Sequence, residues 1–314
     1  MNKRRLSLVC LVLSTILSMS SQLAMSAELR VIATIKPIHS LVASVMAGVG
    51  RPDLLIKGGH SPHTYSLRPS DARNLSRADV IFWLGPDMEV FLTRPLKTLA
   101  SSAMVVELSK TPGLMLLSLR QEGTEADTGK TPSNVTSTGR KGIDPHFWLD
   151  PDNAIVMVDE IVKRLSRADA SHSDQYAANG AALKVRLKSL VSELETTLLP
   201  VKTAPFIVFH DAFEYFVRRF KLDAIGAITI NPERAPGAKK IRAIRNKIIS
   251  AKNICVFAEP QFKPAIVKTI IRNTPARFAI LDPLGADIPA GPGAYATLLR
   301  TLAHALVSCL EKQK

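Results

Sequence analysis

Thiols are scarce in this 314-residue chain, and aromatic side chains make up only 5% of it. The three cysteines, Cys10, Cys255 and Cys309, include no Cys-x-x-Cys pair. A thiolate metal cluster therefore has no support from spacing. Long apolar runs are equally rare. Only residues 6–17 form one, and no later stretch is apolar enough to cross a bilayer. No repeat is visible at the level of residues. What remains is ordinary for a globular protein, with 46% hydrophobic and 22% charged residues. The length allows two domains and a sizeable core.

Residues 1–26 read as a secretory signal. Lys3, Arg4 and Arg5 form a basic start, 6–17 an apolar centre, and Ala24 and Ser26 supply the small residues of a cleavage site. Cys10 follows Val9, where a lipid-anchored cysteine would follow a small residue, so an anchor is not expected. The mature protein is expected to be soluble and periplasmic. Cys255 and Cys309 are then an even pair in an oxidising compartment, and a disulfide between them is expected. By loop entropy it would stabilise the fold by about 4 kcal/mol.

The formal charge of +14 falls to about +11 once Lys3, Arg4 and Arg5 leave with the signal. A basic protein can bind nucleic acid or an anionic membrane. Here the positive residues alternate with apolar ones along helical segments such as 239–245. That reads as a solvated helix face, and export argues against a nucleic-acid partner.

The periodicity predicts strands alternating with helices from the first mature residue. Residues 29–35, 54–56 and 79–84 read as strands, and 37–45 and 69–76 as helices. Such alternation implies βαβ units and parallel sheets, an α/β fold. It breaks at 120–142, a Gly-, Ser- and Thr-rich stretch that reads as a long exposed loop. A helix over 152–165 follows, then a long amphipathic one over 173–199, ~37 Å end to end at about 1.5 Å per residue. This second helix reads as a spine between two halves. Strands at 205–209, 224–230, 253–257 and 277–281 then alternate with helices at 213–220, 238–251, 265–272 and 295–310. In the helix over 238–251, Ile241, Ile244, Ile248 and Ile249 are expected to face inward. The boundaries predicted are an N-terminal lobe over 27–171, a linking helix over 172–200 and a C-terminal lobe over 201–314.

Candidate ligands fall at the ends of these strands. In open α/β sheets, ligands sit beyond the carboxyl ends of strands. His63 lies in the loop after the second strand, His210 directly follows 205–209, and Asp282 directly follows 277–281. His146 sits in Asp144-Pro145-His146-Phe147-Trp148-Leu149, just after the long loop. Three imidazoles and a carboxylate suit Zn²⁺ if the two lobes face each other. Each residue has a plainer reading. His210 can begin a helix beside Asp211, Asp282 can start a turn before Pro283, and His146 can cap a nearby helix. His39, His172 and His304 look ordinary.

The segments IKPIHSLVASV, SPHTYSLRPSDA, DPHFWLDP, VFHDAFEYF, CVFAEPQF and LDPLG, in this order, resemble the zinc-uptake solute-binding proteins of ABC transporters (cluster A-I, the ZnuA type). The resemblance covers nearly the whole mature chain. It implies two Rossmann-like lobes with parallel sheets, joined by a long rigid helix, with metal in the interlobe cleft. The family's motif histidines fall on His63, His146 and His210, its late acidic position on Asp282, and its paired cysteines on Cys255 and Cys309. The manganese branch usually carries a carboxylate at the third position, so His210 favours zinc. Two departures stand out. Many zinc members carry a His- and acid-rich loop before the second ligand, and here 120–142 has no histidine. Pro62 precedes His63 where some relatives have Glu, which points to Asp282 as fourth ligand and leaves His60 as a possible auxiliary.

The function these residues support is high-affinity capture of Zn²⁺ and delivery to a membrane ABC permease, by a protein expected to be monomeric. A closed four-ligand site leaves no water position for chemistry, so no enzymatic activity is expected. The competing readings are a manganese-binding member of the same family, a zinc hydrolase using Glu259 as general base, and a surface adhesin, which the lack of a lipid anchor disfavours. Glu259 is more simply a carboxylate that supports a ligand. Imidazoles bind metal only when unprotonated, so affinity is expected to fall as pH drops through ~6.5.

Overall fold

The computed structural model describes residues 28–120 and 142–311, except 231, 233, 252, 253 and 264. The signal sequence and nearly all of the 120–142 loop lie outside the described residues. Two four-stranded parallel sheets carry the fold. The first contains β1 (Val31–Ala33), β2 (Asp53–Leu54), β3 (Val80–Trp83) and β4 (Met104–Glu107) in the order β2-β1-β3-β4. The second contains β5 (Phe206–His210), β6 (Ala224–Thr229), β7 (Cys255–Ala258) and β8 (Arg277–Ile280) in the order β6-β5-β7-β8. Both orders match, so the second half repeats the architecture of the first, as the alternation predicted.

The central strands are buried on both faces. Every residue of β1, β3, β5 and β7 is buried, which is why they read as continuous apolar runs without alternation. Helices α1 (Lys36–Val45), α2 (Pro69–Arg77) and α3 (Thr93–Leu99) belong to the first half. Pro37 and Pro69 sit in the first turns of α1 and α2, where a missing N–H costs nothing. Asp71 accepts the backbone N–H of Arg68 at 2.9 Å and fixes the start of α2. Helix α4 (Pro151–Ala168) is capped by Asp150, which accepts Asp152 N–H at 2.8 Å. The spine is α5 (Ser173–Leu198), 26 residues long and thus about 39 Å. It packs along α4, and the two helices approach closely at Gly180, where a Cβ would run into Val162.

The second half adds α6 (Glu214–Phe220), α7 (Ala238–Ser250), α8 (Ala265–Ile271) and α9 (Ala294–Leu310). Helix α9 crosses back to pack on α1 and α5. One buried apolar cluster runs from Val31 through α4, α5 and the second sheet to Leu310, so the halves share a core. Polar contacts stitch the same boundary. The Lys36 ammonium donates to the carbonyls of Gly285, Ala286 (2.9 Å) and Ile288 (2.7 Å), using all three of its protons. Ser40 and Ser44 both donate to Pro292 O.

Several expectations shift in detail. The 54–56 strand is observed at Asp53–Leu54, though Leu55 and Ile56 still donate to Ala33 O and Thr34 O at 3.0 Å. His210 is the last residue of β5, paired with Thr229, rather than the residue after it. Ile249 does not face inward but is 58% exposed. Ile241, Ile244 and Ile248 follow the three-and-four spacing of one face, and Ile249 is a further 100° round it by the helical period of about 3.6. Helix α3 and strand β4 had no counterpart in the sequence reading. Strand β4 is a short edge strand, only partly buried, so its apolar pattern is weak.

Cys255 on β7 and Cys309 on α9 are disulfide-bonded, 54 residues apart in sequence. The bond ties the last helix to the second sheet. We expect the Cys255→Ser/Cys309→Ser variant to fold but to lose about 2–4 kcal/mol of unfolding free energy. Urea titration of the metal-free protein, with and without reductant, measures this.

Candidate metal centre

Three histidines converge at the carboxyl ends of the two sheets. His63 leaves the β2 loop after Gly58, whose positive φ of 71° supplies the turn that a side chain would oppose. His146 precedes a 3₁₀ turn, Phe147–Leu149, at the entrance to α4. His210 ends β5. Their ring centroids are 5.4 Å (63 to 146), 5.2 Å (63 to 210) and 4.8 Å (146 to 210) apart. One nitrogen from each lies within 4.8 Å of the other two. The Nε2 atoms of His63 and His146 are 3.3 Å apart. Two nitrogens each about 2.0–2.1 Å from a tetrahedral ion are separated by about 3.3 Å.

The rings are oriented from behind. Asp144 accepts both the backbone N–H of His146 (3.0 Å) and its Nδ1–H (2.8 Å). That contact places the proton on Nδ1 and leaves Nε2 a lone pair facing the other histidines. A Glu259 oxygen stands 3.5 Å from Nδ1 of His210. The same arrangement, imidazole backed by carboxylate, thus occurs on both sides. Glu259 is buried after β7 and lines the cavity with Met88, Trp148, Gln261 and Phe262. The space between them is about 10 Å³, room for one ion or water and not for an organic substrate.

The turn bearing His146 is held by residues from both halves. The Tyr215 hydroxyl donates to Asp144 O at 2.8 Å and accepts Leu117 N–H at 2.9 Å. Tyr295 donates to Trp148 O at 2.7 Å, and the Trp148 indole donates to Pro283 O at 3.0 Å. Behind Asp144, Arg120 pairs with Asp211 at 3.2 Å and with Glu214. Arg120, Asp144, Tyr215 and Trp148 had no role assigned from sequence. Asp144 alone left a signal, the Asp-x-His spacing within a segment already picked out.

Asp282 stands apart from the three rings. Its carboxylate accepts from Gln261 Nε2 (2.7 Å), Leu284 N (3.0 Å) and Ala286 N, so it shapes the 282–286 loop. It is not itself among the residues lining the cavity, although its partners Gln261 and Leu284 are. His60 is exposed, 3.2 Å from Arg68 and edge-on to Tyr65, and is outside the group. The grouping of metal-competent atoms among the described residues is His63, His146 and His210.

Burial governs the charge of these groups. It drives the His63 pKa down to about 2, with His146 and His210 adding repulsion. It lowers His146 well below the usual imidazole range, again with His210 contributing. Burial also raises Asp144 to about 7, despite the His146 backbone N–H and Arg120. Proton competition at His63 therefore begins far below the pH 6.5 expected from a free imidazole. In the unfolded chain His63 takes up its proton near pH 6.5, whereas the folded protein does not. Stability from this residue is then full above pH 6.5 and is lost as pH falls toward the folded value. We expect the difference in unfolding free energy between the metal-free protein and its His63→Gln variant to shrink by about 1.4 kcal/mol per pH unit below ~6.5. Denaturant titrations at several pH values read it directly.

Comparison with known proteins agrees with this geometry. The family model of ZnuA, zinc-uptake complex component A periplasmic, matches residues 31–309. The chain is 43% identical over 308 residues to the high-affinity zinc uptake system protein ZnuA of Brucella suis biovar 1 (strain 1330), covering 90% of this chain and 92% of that one. It is 35% identical to the ZnuA of Yersinia pestis, covering 90% and 91%. A crystal structure of a ZnuA deletion mutant with zinc bound has the same fold, with a TM-score of 0.75 and 24% identity, covering 91% of this chain and 99% of its own. On a match this long, the chain belongs to the ZnuA family of periplasmic zinc-uptake components.

Proposed function

We propose that His63, His146 and His210 hold Zn²⁺ as cargo and that the protein passes it to the permease of an ABC importer, acting as a monomer. The observation that carries this reading is the convergence of three imidazole nitrogens within 4.8 Å in a cavity too small for an organic solute. Neutral nitrogen donors favour Zn²⁺ over Mn²⁺, which prefers oxygen-rich sites. Ligands from both halves let one ion fix how the halves meet, and a permease can read that arrangement. The shared core and the contacts of Lys36, Ser40 and Ser44 favour small adjustments over wide hinge closure.

The family is one of solute-binding proteins, so Glu259 is assigned to orienting His210 and not to activating water. Asp282 would enter the coordination shell only by giving up bonds to Gln261 and the 282–286 loop. A water molecule meets no such cost and is the favoured fourth donor.

We expect His210→Ala to weaken Zn²⁺ binding by about 100-fold or more, because one of three protein donors is lost. Competition with a chromogenic chelator, repeated with excess Mn²⁺, measures affinity and selectivity together. Near-native Zn²⁺ affinity in this variant would remove His210 from the site, and displacement of Zn²⁺ by Mn²⁺ would favour the manganese reading. In the same assay Asp282→Asn should change affinity by less than about tenfold if water completes the shell.

A further inference from the structure

The second half carries a face whose charge the metal site does not use. Between Arg234 and Arg277 the sequence holds eleven Lys and Arg residues and one described acid besides, Glu259, which is buried beside His210. Arg234, Lys239, Arg242, Lys263, Lys268 and Arg272 are exposed, and none forms an ion pair with a described residue. The formal charge of this stretch, +10 from eleven basic residues and one acid, is nearly all of the about +11 carried by residues 27–314, so the unbalanced charge is local.

These residues belong to one surface. Helices α7 and α8 cover the same side of the second sheet, through the cluster that joins Ile244 and Ile248 to Val256, Val267 and Ile270. Arg245 of α7 reaches across to the carbonyls of Ile270 and Arg272 at the end of α8. On the edge strand β8, Phe278 and Ile280 pair with Val256 and Ala258. Paired residues of a parallel sheet point the same way, so Phe278 and Ile280 point to the helix-covered side, where the helices leave them partly open to solvent. They are 36% and 43% exposed. Lys268 lies over the Phe278 ring at 5.7 Å.

We propose that this α7–α8–β8 face docks on the surface of an anionic phospholipid bilayer. Lysine and arginine stems can spread over apolar surface while their charges meet headgroup phosphates. Phe278, Ile280 and the exposed Ile249 supply apolar contacts of the kind that settle into the interface. The charge is spread over two helices and a strand edge and does not line a pocket, which suits a laterally uniform partner better than a single acidic peptide. Docking would confine the search for a membrane partner to two dimensions. The proposal goes beyond the metal-binding reading and does not depend on which ion is bound.

The test is co-sedimentation of the mature protein with large vesicles of phosphatidylcholine alone or with about 30% phosphatidylglycerol, at ~50 and ~500 mM NaCl. We expect binding to the anionic vesicles at low salt and its loss at high salt. A variant carrying Lys239→Glu, Arg242→Glu, Lys268→Glu and Arg272→Glu should bind at least about tenfold more weakly. Unchanged Zn²⁺ binding and unfolding temperature would show that it is folded. If it is not, the same substitutions to Gln serve as the second variant, with the same expected direction. Equal pelleting with neutral and anionic vesicles overturns the proposal. Undiminished binding of a folded variant overturns the assignment to this face. Retention on a polyglutamate resin without vesicle binding overturns the lipid reading in favour of an acidic protein.

Discussion

Burying imidazoles against one another is unfavourable unless they stay neutral, and that constraint organises the centre of this molecule. A proton on His63 would face His146 and His210 across a few ångströms of poorly solvated space. Depressed basicity leaves the nitrogen lone pairs free for a cation that brings its own charge. A metal ion resolves what a proton cannot, because it satisfies several nitrogens at once. The carboxylates behind the rings complete the logic. Asp144 fixes the tautomer of His146 by hydrogen bonding, and Glu259 offers His210 a negative neighbour.

That arrangement depends on holding the His146 turn in place from several directions. Tyr215, Tyr295 and Pro283 all come from the second half and all bond to residues 144–148. The turn enters α4, which packs along the 26-residue spine, and α9 returns to close the other side. With one apolar cluster running through both halves, the site is built on a stiff frame. Such a frame suits capture of a small ion, where donor positions accurate to tenths of an ångström set selectivity. A wide cleft that folds over a large solute would need fewer contacts across its boundary.

Much of this was legible in the sequence, for physical reasons that differ by element. The central strands announced themselves because burial on both faces demands unbroken β-branched and aromatic runs. The spine did so through Leu183, Leu187, Leu190, Val191, Leu194 and Leu198, all of which are buried. His63 and His210 were legible from their places after strands and His146 from its Pro- and aromatic-bounded segment after the long loop, read together with the family resemblance. Asp282 shared the first signal, yet its carboxylate is engaged by Gln261 and two backbone N–H groups. Position along a strand says where a side chain starts and not which donors reach it first. The same limit hid Tyr215, Arg120 and Lys36, whose partners lie 71 to 252 residues away. Ile249 illustrates a smaller limit, since an apolar residue next to a buried one in a helix need not share its face.

The central claim is that imidazoles from both halves bind the same ion. Zinc K-edge X-ray absorption on the mature protein loaded with one equivalent of Zn²⁺ tests it most directly. The account expects about three imidazole nitrogens at ~2.0–2.1 Å, with the outer-shell scattering of histidine rings. A shell of oxygens with no imidazole signature, or one with a single imidazole, would contradict it.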